Sequence, residues 1–301
     1  MKSFEIEREI ANSEGYQFVQ RIRQFSVSTS IFGKNFLEFK KHVEAEIEPE
    51  YFFKLQHRQF AQQREDGQLE TVRLMHNFLA SAFSLVEHTR NYYKKHYDNE
   101  SAKFPEYQPE VDKRFANNPL ANFVKCFRQY MQHFQPSFIS YQSNLTESPE
   151  GLKAKIILTN DNIMLFKGWN SKAKQYIEGL NGDLNILVMI DDYHTLVAEF
   201  YQWFIKRQGE IHKEEVSTLL KMERNLKEQK LREMISHFTT SKTFNNEAFL
   251  NAVRDMYNQE SKRKFDNLSY QKQLEEMIFS LKANGFINKI QEKEIRERFE
   301  V

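Results

Sequence analysis

Proline and glycine are too scarce in this chain to interrupt it often. Its 301 residues include six prolines and nine glycines, while Glu, Lys, Gln and Leu recur throughout. The straight-chain residues among them lose little rotamer freedom in a helix, whereas Gly and Pro are the residues that weaken or break one. The expectation is therefore a mainly α-helical fold. Apolar residues at three- and four-residue steps mark the helices. They occur within 15–47, from about Gln68 to Tyr97, from Asp183 to about His212, over 213–238, and in shorter segments at 246–258, 269–283 and 289–299. The segment "FVKCFRQYMQHFQPS" carries the stripe Phe123, Val124, Phe127, Met131 and Phe134, with Arg128 and His133 embedded in it and Pro136 ending it. Asn118 and Pro119 ahead of it form an N-cap and first-turn pair.

Two stretches break the helical pattern. "DNESAKFPEYQPEVDKRFANNP" is polar and contains three prolines, so it reads as a loop. "QSNLTESPEG" reads as a linker, and "AKIILTNDNIMLF" places two apolar runs around Asn160-Asp161, which predicts a small β-hairpin. A short helix should end near Gly182, and Gly285 after "LKAN" fits a C-cap. The chain is long for a single core. It is expected to divide into an N-terminal helical domain, 1–148, and a C-terminal helical domain, 149–301, of unassigned role.

Charge narrows the function classes. Lys and Arg number 43 against 42 Asp and Glu, a formal net charge of +1, so the chain is no general polycation, and any nucleic-acid contact must come from a local patch. Cys126 is the single cysteine, which rules out an internal disulfide and fits a reducing compartment. The opening "MKSFEIEREI" lacks the apolar core of a secretory signal, and no run approaches the ~18 apolar residues of a membrane span. A soluble cytoplasmic protein is expected.

Several chemistries lack their residues. The sequence has no phosphate-cradling Gly-rich loop, no paired cysteines for zinc and no nucleophile elbow. "DDYHTLVAE" offers Asp191, Asp192, His194 and Glu199 as metal ligands. Asp191 and His194 share a helix face and Glu199 lies off it, so a solvated stripe on a core helix is the simpler reading.

Two Arg-His pairs remain. "EHTRNYYKKH" contains Arg90, Asn91 and His96, and "CFRQYMQH" contains Arg128, Gln129 and His133. An Arg followed by a polar residue, with a His four to six positions beyond, is the signature of the HEPN ribonuclease superfamily. "NFLASAFSLVEHTRN" and "NFVKCFRQYMQHFQP" resemble a HEPN-like group with helices of the form "FL-x-A-x-S-LV-x-HTR" and "F-x-K-x-LRNY-x-x-H-x-x-P". The likeness spans residues 75–136. Gln129 stands where the family prefers Asn, and Phe127 where it prefers Leu.

The resemblance implies a HEPN-like helical bundle and an endoribonuclease that needs no metal or cofactor. Arg128, Gln129 and His133 would be the catalytic set, with Arg90, Asn91 and His96 as a secondary one. It also implies an RNA substrate, a homodimer whose motifs face each other across a groove, and a toxin or phage-defence role with an antitoxin or regulatory partner. The chemistry suits the residues. The RNA 2′-hydroxyl is an internal nucleophile, a His titrating near neutrality moves its proton, and Arg stabilises the developing phosphorane charge. On an ideal helix, offsets of five and six residues separate Arg from His by about 140° and 120°, so another helix or a second protomer must complete a site. The alternative is a non-catalytic module in which the motif serves dimerisation or RNA or protein binding. In that case Arg90 is a part-buried structural residue paired with Glu87.

Overall fold

The structure, a computed structural model, describes residues 2–134, 139–145, 152–241 and 245–300. Helices α1 (Ser3–Asn12), α2 (Glu14–Glu46), α3 (Pro49–Gln56), α4 (Ala61–Tyr97), α5 (Tyr107–Val111) and α6 (Pro119–Gln129) open the chain. Strands β1 (Ser140–Leu145) and β2 (Leu152–Leu158), helices α7 (Asn160–Met164) and α8 (Ser171–Glu178), strand β3 (Leu184–Asn185) and helix α9 (Ile186–Ile211) follow. Helices α10 (Lys213–Thr240), α11 (Asn246–Arg254), α12 (Gln259–Asp266), α13 (Tyr270–Ala283) and α14 (Lys289–Phe299) complete it. The fold is mainly α, with one small antiparallel sheet in the order β1-β2-β3. No helix among the described residues is long and apolar enough to cross a membrane.

Asparagine sets many of the helix starts. The side chains of Asn118, Asn170, Asn245, Asn258 and Asn288 each accept a backbone N–H from the first turn of α6, α8, α11, α12 and α14. Each satisfies a donor that the helix itself leaves unpaired. The cap expected at Asn118-Pro119 is among them, with Ala121 N at 3.1 Å from Asn118 Oδ1.

The hairpin lies elsewhere than expected. β1 pairs with β2, Ser140 opposite Ile157 and Leu145 opposite Leu152, so its connection is 146–151, outside the described residues. Asn160-Asp161 begins α7 instead, because Asp183 Oδ1 takes the Asn160 N–H at 3.0 Å and Asn160 Nδ2 donates to the Gly182 carbonyl at 2.9 Å. The stretch expected as a loop at 98–119 is a chain of short helical turns: 3₁₀ over Asp98–Lys103, then α5, then a π-turn over Asp112–Ala116. Phe104 and Tyr107 are buried in it and pin it to the core. Pro109 sits in the first turn of α5, where a missing N–H costs nothing.

Two compact units result, one made of residues 1–20 with 212–301 and the other of 21–211. The expected division near 148 falls inside the larger unit. The reason is packing: a single aromatic-rich core runs from Phe25 to Phe204 and takes in residues on both sides of 148. In the smaller unit α1 lies on α10, where Glu233 accepts both the Ser3 N–H and its hydroxyl at 2.7 and 2.6 Å. A second core there gathers around Phe238, Phe249, Leu274 and Ile295.

Within that smaller unit, Gly15 lies against the backbone of α10: a Cβ at this position would run into the Glu215 carbonyl. Gly33, in mid-α2, has open space around it. We expect Gly15→Ala to destabilise the protein by about 1–3 kcal/mol through overpacking against backbone. Gly33→Ala should stabilise it by about 0.5–1 kcal/mol through helix propensity. Equilibrium urea unfolding measures both, and equal effects of the same sign would refute the packing assigned to Gly15.

Candidate functional site

Helix α4 positions the first half of the site. Its apolar face, from Leu74 through Phe78, Ala82 and Leu85, is buried in the core. That orientation turns the neighbouring edge, Phe83, Val86, Glu87 and Arg90, toward a cavity of about 400 Å³. Helix α6 buries Phe123, Val124 and Phe127 and presents Lys125, Arg128 and Gln129 to the same cavity. Aromatic residues of α9, Tyr193, Phe200 and Tyr201, form part of its wall, with Tyr107 and Phe115 from the short turns before α6.

Both arginines singled out by sequence thus line one cavity, but they are held differently. Arg90 Nη1 donates to Glu87 Oε1 at 2.7 Å, and its side chain is 56% exposed. The carboxylate partner expected for it is therefore present, while the part-burial expected with it is not. Arg128 is half-buried, its guanidinium 4.5 Å above the centre of the Phe83 ring. Its Nε is buried without a hydrogen-bond partner among the described residues. It faces no carboxylate within ion-pair distance there either. An aromatic face attracts a guanidinium, but it leaves the buried Nε–H donor unfilled. A half-buried charge without a counter-ion carries a solvation cost that an anion beside it would reduce.

The remaining groups are neutral or fixed. The Thr89 hydroxyl donates to the Leu85 carbonyl at 2.7 Å and lies 2.7 Å from the Tyr201 hydroxyl. Burial raises the pKa of Tyr193 and Tyr201, and pushes Tyr107 up to about 12 despite the opposing charge of Arg90. These phenols therefore present O–H donors, not phenolates. Asn122 Nδ2 donates to the carbonyls of Phe115, Ala116 and Asn118 at 2.9–3.1 Å, which locks the π-turn to α6 and holds that wall in place.

The other sequence candidates divide. Gln129 is exposed at the cavity rim. Asn91 is exposed and does not line it. His96 lies on another face of α4, its ring 4.8 Å from that of Tyr92, as the six-residue offset on a regular helix requires. The side chain of His133 lies outside what the structure describes, but its backbone belongs to a π-turn over Tyr130–Phe134. Hydrogen bonds in such a turn span five residues instead of four.

The acidic stretch on α9 is structural. Lys40 Nζ donates to both oxygens of Asp191 at 2.8 and 2.9 Å, and Glu199 pairs with Arg114 at 3.3 Å. The His194 ring lies flat on Phe36, centroids 3.7 Å apart. Among the described residues no group of three or more His, Cys, Asp or Glu side chains is placed to hold a metal. Lys125 went unrecognised in the sequence, although Asn122, Lys125 and Gln129 recur at helical spacing along the edge of the apolar stripe. Tyr193, Phe200 and Tyr201 gave no local signal, because their place in the site is set by how α9 packs. No known protein family, curated protein or solved structure matches the chain.

Two outcomes follow from these environments. Arg128→Met should leave the melting temperature unchanged or raised, since replacing a half-buried unpaired charge with an apolar chain of similar reach removes a desolvation cost. A lowered melting temperature would show that Arg128 is a structural cation. Burial holds the His194 pKa below its usual value, with Lys40 acting in the same direction and Asp191 opposing. Its neutral form is thus favoured on folding, and stability is lost as pH falls below about 6.5, the unfolded-state value. Urea midpoints at pH 8 and pH 5 should differ less in His194→Phe than in the unsubstituted protein.

Proposed function

We propose that this protein is an endoribonuclease of HEPN type that cleaves RNA through attack of the 2′-hydroxyl. One observation carries the reading. Arg90 and Arg128, drawn from two separate stretches of sequence, line the same cavity, and Arg128 is a half-buried cation with its Nε unfilled. An anion completes such a site, and a phosphodiester is the anion that the sequence resemblance implies.

In this reading the scissile phosphate sits at Arg128, with Lys125 and Arg90 supplying further positive charge. His133 takes the proton from the 2′-hydroxyl or returns one to the leaving 5′-oxygen, and Gln129 orients the phosphate. The 2′-oxygen bonds to phosphorus as the P–O5′ bond breaks, which yields a 2′,3′-cyclic phosphate and a 5′-hydroxyl. The phosphorane gains negative charge on its non-bridging oxygens, where a guanidinium with free donors acts most strongly. The chemistry uses only groups of the protein and the RNA. A second protomer, contributing its own Arg and His across a shared groove, supplies the acid and base together. A toxin or phage-defence role in the cytoplasm, restrained by an antitoxin or regulatory partner, belongs to the same reading by analogy of fold.

The position of His96 away from the cavity favours a single catalytic set, Arg128, Gln129 and His133, over the secondary one. A second reading, a non-catalytic module that binds RNA or a partner through the same cations, is favoured by Gln129 in place of the family Asn. Cleavage of total RNA in EDTA separates the two. The unsubstituted protein is expected to cut. Arg128→Ala and His133→Ala, each checked for unchanged thermal unfolding, should lose about 100-fold or more in rate. Absence of cleavage by the folded, dimeric unsubstituted protein would sink the nuclease reading and leave the binding module.

A further inference from the structure

The cations at the cavity mouth leave most of its volume unexplained. At about 400 Å³ it falls within the ~300–1,000 Å³ range of small-molecule sites. Cleaving a phosphodiester requires only the rim, but behind the rim the wall is aromatic. Phe115 and Phe200 meet edge to face with centroids 5.0 Å apart, and Tyr107 lies 6.5 Å from Phe200. Tyr193, itself buried, adds a phenol that its burial keeps protonated. The rim carries Arg90, Lys125 and Arg128 against the single carboxylate of Glu87.

Two simple occupants fail on chemistry. A purely apolar ligand would strand the unfilled Nε–H of Arg128. A bare inorganic anion would satisfy them and leave an aromatic chamber empty. The cavity suits a flat aromatic group with polar edges joined to an anion a few bonds away. A nucleotide has that constitution, since every base offers a π-face for aromatic side chains and its phosphate meets the cations.

We infer that the cavity takes one nucleotide of single-stranded RNA, turned out of its stack, within a single protomer. The base lies against the part-exposed ring of Phe115, which Phe200 backs edge-on, with its edge toward Tyr193, and its phosphate is held by Arg128 and Lys125. The identity of the polymer rests on the ribonuclease reading above; the base-and-phosphate chemistry rests on the cavity. The consequence is strand selectivity. A paired base must leave its helix to enter, so duplex RNA is disfavoured before any chemistry takes place.

Calorimetry with adenosine 5′-monophosphate, ribose 5-phosphate, adenosine and inorganic phosphate tests this on the full chain. The nucleotide should bind once per protomer, and at least about tenfold more tightly than ribose 5-phosphate, the contribution of one stacked base. Ala116→Trp, at an exposed rim position, should weaken nucleotide binding at least tenfold. Lys125→Met should bring the nucleotide down toward the affinity of adenosine, which keeps the test decisive if the first variant fails to fold. A single-stranded oligoadenylate should displace the bound nucleotide, and a blunt RNA duplex should not.

Equal binding of nucleotide and ribose 5-phosphate would overturn the base pocket and leave a cation site. Nucleotide binding without displacement by the single strand would overturn the RNA assignment in favour of a free nucleotide. If nucleotide and single strand bind as expected but no RNA is cut, the nuclease reading fails and this inference stands.

Discussion

The burial of the inner face of α4 is the constraint on which the larger unit depends. Phe78 is fully buried and meets Phe32, Phe36 and Phe39 of α2 at centroid distances of 5.4–6.3 Å, with Tyr193 of α9 edge-on at 6.1 Å. Once that face is covered from both sides, α4 has no rotational freedom. Its flanking edge, with Phe83, Glu87 and Arg90, is then fixed in direction. The cavity exists because α6 covers that edge only in part: α6 spends its apolar face on Phe123 and Phe127, stacked with Trp169 and Tyr130. Repacking Phe78 would therefore act on the site from a distance, by turning α4.

Electrostatics distinguish the site from the rest of the surface. Arg73, Arg114 and Arg207 each reach two carboxylates, one of them on another helix for Arg73, and exposed pairs of this kind contribute little each. Arg128 departs from that pattern, because it is half-buried on an aromatic ring with its Nε unfilled. The Phe83 ring attracts the guanidinium but does not fill its Nε–H, which leaves that donor open to an anion. In the proposed reading, phosphate contacts and aromatic stacking call on different parts of the same cavity.

Local chemistry made several elements legible. Asn118 followed by Pro119 marks the start of α6, because a side-chain acceptor ahead of a residue with no N–H suits a helix N-terminus and little else. Gly285, with φ of +68° just beyond α13, does the same for a helix end. The hairpin at Asn160-Asp161 was misplaced because the same dipeptide serves a tight turn or a helix start. The choice fell to Asp183 and Gly182, more than twenty positions away. The polar, proline-containing stretch at 98–119 resembles a loop for a similar reason: Phe104 and Tyr107 anchor it through rings on other helices.

The information carried along the chain is therefore local: mainly helical structure, the start of α6, and two arginines each beside an apolar stripe. Whether those stripes share a core is not a local property. Arg90 and Arg128 line one cavity because α4 and α6 bury neighbouring faces, and because α9, more than sixty residues further on, closes the wall with Tyr193, Phe200 and Tyr201. The division into units has the same origin, since the first twenty residues pack with the last ninety. Apolar burial is non-directional and depends on which faces are covered jointly. Which charges stay at the edge of that burial depends on how distant helices pack, and no local pattern carries it.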